Sequence, residues 1–208
     1  MPSDFGGAFS TKYDSEVSTY TIGNNSNNTH TVTVIEGEKS GPSVYVIAGI
    51  HGDEEAGWQA GKLLKKATIK AGTLYIIAPA NEPGAKSHKR TLSGADPNRC
   101  WPGSASGNEA SKNAYYIYQD VKDKDPDFVL DLHEAKIIKA DGDTLGSSIT
   151  YTNLDYWPDN LFFDFMSATE KGEVCSRKFH SDSPSPSGSI NQSITEGLHI
   201  PTMTVETF

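Results

Sequence analysis

The 208-residue sequence predicts an α/β fold, a three-layer α/β/α arrangement around a central mixed β-sheet. Three observations carry that expectation. Short runs rich in Val, Ile, Leu, Thr and Tyr recur along the chain, at 17–22, 29–35, 44–50, 73–78, 128–132, 149–152 and 202–205, with a further strand candidate at 174–179. Segments of helical period separate several of them, at 55–66, 108–124, 160–171 and 190–196. Three of the apolar runs lead straight into a His or Glu, and strand ends are where α/β sheets place their ligands.

Residues 1–16 have little periodicity and read as a leader, which leaves 17–208 as one domain with a single core. The first two runs flank the polar stretch Gly23-Asn24-Asn25-Ser26-Asn27-Asn28, a hairpin with a long turn expected at one edge of the sheet. The run 44–50, bounded by Gly41-Pro42, ends at His51, and Gly52 lets the backbone turn into a helix. That helix directs Trp58, Leu63 and Leu64 to the core. Another buried strand follows Ala71-Gly72. Residues 79–107 then hold Pro79, Pro83, Pro97 and Pro102 with Gly84, Gly94, Gly103 and Gly107, and read as a long functional loop. The helix at 108–124 presents Tyr115, Ile117 and Val121, and the strand at 128–132 runs into His133. Residues 181–189 are Ser/Pro-rich loop, 190–196 form a short helix closed by Gly197, and the last strand delivers Glu206. Trp157 and Phe162-Phe163 read as core, Tyr115, Tyr116 and Tyr118 as helix core and rim, and Lys62, Lys65 and Lys66 as a solvated helix face.

With 18 basic and 27 acidic residues the net charge is −9, which argues against nucleic acid or an anionic membrane as partner. No apolar run approaches the ~18–20 residues of a membrane span. The N-terminus lacks the basic-then-apolar form of a signal peptide, which tips the expectation towards the cytoplasm; a signal already removed would leave no trace, so an exported protein is carried alongside. Cys100 and Cys175 are too few for a disulfide framework and leave open two thiols or one bridge. Asn24-Asn25-Ser26, Asn27-Asn28-Thr29 and Asn191-Gln192-Ser193 match the glycosylation pattern, which arises often by chance.

His51 with Glu54, His133 and Glu206 each follow an apolar strand. A neutral imidazole and a carboxylate oxygen both suit zinc at ~2.0–2.2 Å, and two His with one carboxylate would leave a fourth position for water. Glu206 is then the candidate base for that water, and Asp131 could orient a ligand imidazole. Arg90 and the Asn98-Arg99 pair add groups suited to gripping a carboxylate or an oxyanion. A structural zinc would instead require a fourth protein ligand, for which no candidate lies near these motifs. Gly57-Trp58-Gln59-Ala60-Gly61-Lys62 is too short for a P-loop, and Gly103-Ser104-Ala105-Ser106-Gly107 has Ala where a nucleophile elbow needs Ser.

Together these residues resemble the zinc carboxypeptidase superfamily. His51-Gly52-Asp53-Glu54 is similar to its first metal motif, Asp131-Leu132-His133 to the strand of its third ligand, and Thr204-Val205-Glu206-Thr207 to the strand of its catalytic glutamate. Asn81-Glu82-Pro83-Gly84 resembles the turn after its next strand. Asp96-Pro97-Asn98-Arg99-Cys100-Trp101-Pro102-Gly103 resembles its D-L-N-R-x-F-P-G segment, with Pro97 for Leu and Trp101 for Phe. The aromatic-Pro-Gly ending and the compact chain place the resemblance closest to the succinylglutamate desuccinylase/aspartoacylase-like branch. What it implies is one zinc per chain on His51, Glu54 and His133, with Glu206 as catalytic base. By the same resemblance Arg90 helps polarise the scissile carbonyl, and Asn98 and Arg99 bind a substrate carboxylate. The implied reaction is hydrolysis of an amide beside a free carboxylate, on an N-acyl amino acid or a short peptide. No Tyr stands in 181–187, where carboxypeptidases proper carry one, which speaks against their specificity. Family members commonly continue beyond the point where this chain ends, two residues after Glu206. The rival is a non-catalytic module on the same fold that binds a peptide or amino acid. A cell-wall peptide carboxypeptidase or amidase is the variant reading for an exported protein.

Overall fold

The computed structural model describes residues 13–23, 28–135, 146–172 and 179–207. Most of the leader, the first glycosylation triplet and part of the second, Cys175 and nearly all of the strand expected at 174–179 lie outside the described residues. Eight strands form one mixed sheet, in the order β1-β2-β4-β3-β5-β8-β6-β7. They are β1 (Glu16–Ile22), β2 (His30–Glu36), β3 (Lys39–Ala48), β4 (Ala71–Ile77), β5 (Phe128–Glu134), β6 (Ser148–Thr150), β7 (His180–Asp182) and β8 (Thr202–Thr207). The helices are α1 (Glu55–Leu64), α2 (Glu82–Ser87), α3 (Glu109–Lys124), α4 (Leu161–Glu170) and α5 (Ile190–Leu198). The β1–β2 hairpin stands at one edge, and β4, β3, β5 and β8 run parallel through the centre.

Period-two alternation sorts the central strands into two layers. Ile35, Val46, Ala48 and Ile76 pack with Leu64, Leu130 and Leu132 beneath α1. Ile149, Met203 and Val205 pack with Leu130 under Phe162 and Met166 of α4. Val32, Tyr45, Ile47, Ile77 and Val129 face the other way, against Ile117 and Val121 of α3 and Ile190 and Ile194 of α5. The two layers of helices complete the α/β/α arrangement. Tyr20 and Tyr45 both donate to Asp120 Oδ2, at 2.7 and 2.6 Å, and so tie β1 and β3 to α3.

Several expectations are corrected. β3 starts at Lys39, before the apolar run, and stops at Ala48, because Gly49 takes φ +76 and turns the chain out of the sheet. Gly52 owes its place to close approach: a Cβ there would stand 2.0 Å from the Gly84 carbonyl carbon in α2. The long loop contains α2, whose signals were Asn81 as N-cap and a proline in the first turn, and a 3₁₀ turn at Pro97–Arg99. Leu63 (55% exposed) and Phe163 (66% exposed) face outward, each beside a neighbour that takes the buried position. β7 occupies the start of the expected 181–189 loop. α5 runs past Gly197 to Leu198 and is capped by His199, which takes the left-handed conformation at φ 60. Asn191 is 1% exposed and donates to Thr150 O, Thr202 O and Thr204 Oγ1, which removes it as a glycosylation site. Cys100 is a free, half-buried thiol. Among the described residues no helix is long and apolar enough to cross a membrane.

Burial pushes His30, at the start of β2, down to about 4 from an ordinary 6.5, so between those values the unfolded chain binds a proton that the folded one does not. Its contribution is complete above pH 6.5 and is lost as pH falls towards 4. Between pH 7 and 4.5 this group costs about 2–3 kcal/mol. Urea unfolding at the two pH values is expected to show that difference shrinking in His30→Gln. An undiminished difference would place the acid sensitivity elsewhere.

Candidate metal centre

The site lies where β3, β5 and β8 end. Apolar Leu130, Leu132, Met203 and Val205 occupy one face of β5 and β8. The alternate positions Asp131, His133, Thr204 and Glu206 therefore share the opposite face. Asp131 is in register with Thr204, and His133 with Glu206. His133 and Glu206 thus lie within their strands rather than after them. From β3 the turn at 49–54 brings in His51 and Glu54, with Glu54 as the residue preceding α1. Glu134 fastens this junction: its side chain accepts from Ala56 N at 2.8 Å, and its own N–H donates to Glu54 Oε2 at 3.2 Å.

Donor atoms of His51, Glu54 and His133 all lie within 4.8 Å of one another, and the three residues are buried. His51 Nδ1 lies 2.7 Å from Glu54 Oε1, and His133 Nδ1 lies 2.7 Å from Glu54 Oε2. Each imidazole is held from behind by a carboxylate: His51 Nε2 by Asp96 Oδ1 at 3.0 Å, His133 Nε2 by Asp131 Oδ2 at 3.1 Å. A proton kept on Nε2 by those carboxylates leaves Nδ1 to act as a ligand once a cation displaces its own proton, the orientation metal-binding histidines require. Asp131 has this orienting place as expected. Asp96 was missed in that role; its signal was its position at the head of the Asp96-Pro97-Asn98-Arg99 segment.

The charge balance also suits a cation. Glu54, Asp96, Asp131 and Glu206 converge here with Arg90 as the guanidinium that pairs with them, through Glu54 Oε1 (2.8 Å) and Asp96 Oδ2 (3.3 Å). Burial would raise Glu54, yet the His133 charge and hydrogen bonds from both imidazoles hold it well below the usual carboxylate range. Burial pulls His133 down, but Asp131, Glu54 and Glu206 outweigh it and hold the imidazole well above its ordinary value. Burial pushes Glu206 up, with Glu54 and Asp131 adding to it against His133. Two imidazole nitrogens and one carboxylate are a donor set that fits zinc, and among the described residues no fourth donor joins the group.

Beside the cluster is a cavity of about 160 Å³. His51, Arg90, Asn98, Arg99, His133 and Glu206 line it, so it brings together the expected site residues other than Glu54, which lies behind them. Asn98 is fixed by Ile190 N donating to its Oδ1 at 2.8 Å, and its own N–H donates to Asp96 Oδ1 at 2.9 Å. Arg99 is exposed, and its NH1 donates to Asn98 O at 2.7 Å. Thr150, Thr204, Asp182, Ser185 and Ser189 complete the lining with Pro184 and Pro186. The Ser/Pro segment is thus a wall of the site, a role its composition did not suggest. A larger cleft of about 550 Å³, between α1 and α2, holds none of these residues.

A mixed α/β sheet with a buried His-Glu-His group at its strand ends is a frame that could hold a metal ion. The family model for the succinylglutamate desuccinylase/aspartoacylase catalytic domain matches residues 40–200, and the chain belongs to that family, within the zinc carboxypeptidase-like superfamily. No curated protein matches the chain. Among solved structures, an aspartoacylase family protein from Mesorhizobium loti aligns with TM-score 0.68 at 17% identity, over 95% of this chain and 62% of that one. The product-bound ectoine utilization protein EutE (DoeB) from Ruegeria pomeroyi gives 0.65 at 19%, over 95% and 60%. The mDAP-bound Helicobacter pylori Csd4, a D,L-carboxypeptidase, gives 0.66 at 18%, over 80% and 45%. These likenesses bear on the fold, and the chain spans less than two thirds of each of those proteins. The two enzymes that give the family its name, succinylglutamate desuccinylase and aspartoacylase, are hydrolases.

Proposed function

We propose that the protein is a zinc-dependent hydrolase that cleaves an amide bond beside a free carboxylate, in an N-acyl amino acid or at the end of a short peptide. The observation that carries this reading is the pair of imidazoles turned towards one carboxylate, each backed by an aspartate, beside a buried glutamate in a cavity with arginines. His51, Glu54 and His133 would hold one zinc ion, which when bound supplies Lewis acidity to the scissile carbonyl and to water. Arg99, exposed and without an ion pair among the described residues, takes the substrate carboxylate together with Asn98. Arg90 lines the cavity beside Glu54 and supplies positive field where the oxyanion develops. Glu206 takes the proton of the attacking water and hands it to the departing amine. Its raised pKa suits both halves of that transfer.

A non-catalytic binding module needs no buried base, and Glu206 at 7% exposure among Glu54 and Asp131 is costly to keep without a task. The test is metal dependence. Purified protein stripped with a chelator and reloaded is expected to take up one zinc per chain and to regain hydrolysis of N-acyl amino acids or short peptides. Failure to bind zinc would overturn the reading. Zinc binding without turnover across both substrate classes would leave the binding module as the better account.

A further inference from the structure

One wall of the cavity is built from the sheet itself. Strand register carries the face of Asp131 and His133 outward across three more strands. One rung runs Asp131, Thr204, Thr150, Asp182, and the next runs His133, Glu206, Ser148, His180. Residues in register across neighbouring strands share a face, so Asp182 lies on the same side as the metal cluster. It stands two strands over and one rung along from Glu206, about 12 Å between Cα atoms at 4.8 Å per strand and 3.4 Å per residue.

Two features of this wall call for a ligand. Asp182 Oδ1 accepts from Ser183 N at 3.0 Å, and among the described residues no Lys, Arg or His pairs with the carboxylate although it lines the cavity. Thr150 and Ser185 line the same cavity, and among the described residues their buried hydroxyls have no hydrogen-bond partner either. Buried polar groups are nearly always partnered, so two orphan hydroxyls beside an unpaired carboxylate mark a place where polar atoms of a ligand belong. An ammonium group offers three donors and one positive charge, which matches one carboxylate and two hydroxyl acceptors.

We propose that Asp182 determines specificity, selecting for the residue bound in the cavity a side chain that ends in an ammonium group. Resting on the hydrolase reading above, this places the substrate's carboxylate at Arg99, its scissile amide at Glu206 and His133, and its side chain along the β8-β6-β7 rung. Thr150 and Ser185 complete the ammonium's hydrogen bonds. The leaving product is then a diamino acid rather than an acidic one.

The test compares Nα-acetyl-lysine, Nα-acetyl-norleucine and Nα-acetyl-glutamate on the zinc-loaded protein, with lysine, norleucine and glutamate binding followed by calorimetry. The lysine derivative is expected to exceed the norleucine derivative at least tenfold in kcat/KM. Asp182→Asn should lower that ratio at least tenfold, and Asp182→Glu should recover part of it. A merely structural role would lower all three substrates together. Parity between lysine and norleucine, or preference for glutamate, would overturn the proposal. If no acetyl derivative turns over, calorimetry decides. Tighter binding of lysine than norleucine, lost in Asp182→Asn, upholds the role of Asp182 and counts against the hydrolase reading alone. Equal binding overturns the role.

Discussion

Glu206→Gln is expected to lower kcat about a thousandfold, about 4 kcal/mol of transition-state stabilisation, while KM and zinc content stay within a factor of two or so of wild type. The substitution keeps the shape of a side chain that is 7% exposed and changes only its ability to take a proton. Burial and the nearby Glu54 and Asp131 already disfavour a charge at this position. The amide should therefore unfold no earlier than wild type, so lost activity cannot be laid to lost structure. Stopped-time assays with metal analysis on the same preparation separate the outcomes. Retention of more than a tenth of the activity would remove Glu206 from the role of base. Loss of zinc together with activity would make it a ligand instead.

Removing His133 should act on the metal itself. His133→Ala deletes a proposed ligand that is 2% exposed, and zinc stoichiometry by plasma mass spectrometry is expected to fall from one towards zero, with activity following it. Asp131→Asn is the graded counterpart. Asp131 Oδ2 accepts from both His133 Nε2 and Thr204 Oγ1, each at 3.1 Å, so the amide keeps the contact but weakens its hold on the imidazole proton. Orienting partners of this kind are worth about tenfold to hundredfold in metal affinity, measurable by competition with a chromophoric chelator. Unaltered zinc binding in His133→Ala would require a different ligand set. Unaltered affinity in Asp131→Asn would mean that packing alone orients His133.

The candidate centre was legible because its residues sit at the ends of apolar strands, and strand ends are local features of a sequence. His51, Glu54, His133 and Glu206 could be singled out that way, and the structure brings them into one cluster. Asp131 could be placed behind His133 because a spacing of two on a strand keeps a face. Asp96 was not legible in the same role. It is 45 residues from His51 in sequence, and only the 3₁₀ turn at Pro97–Arg99 returns its carboxylate to the imidazole.

Element ends and outward residues were the weaker part. The helix at 82–87 was hidden by its proline and glycine, which suit a first turn as readily as a loop. Leu63 and Phe163 are apolar yet exposed, because each helix has one buried stripe and its neighbour had already filled it. The 181–189 segment has the composition of a loop, and short edge strands carry too few residues to show a period.

By itself the sequence determined the α/β class, the hairpin, the central strands and the residue types that could meet at their ends, because hydrophobic period and turn residues act over a few positions. Only the tertiary structure decided that Asp96 backs His51, that Glu206 lies in register with His133, and that Asp182 faces the same cavity from two strands away. Those relations depend on strand order and register, which are fixed by burial of whole faces rather than by any neighbouring residue.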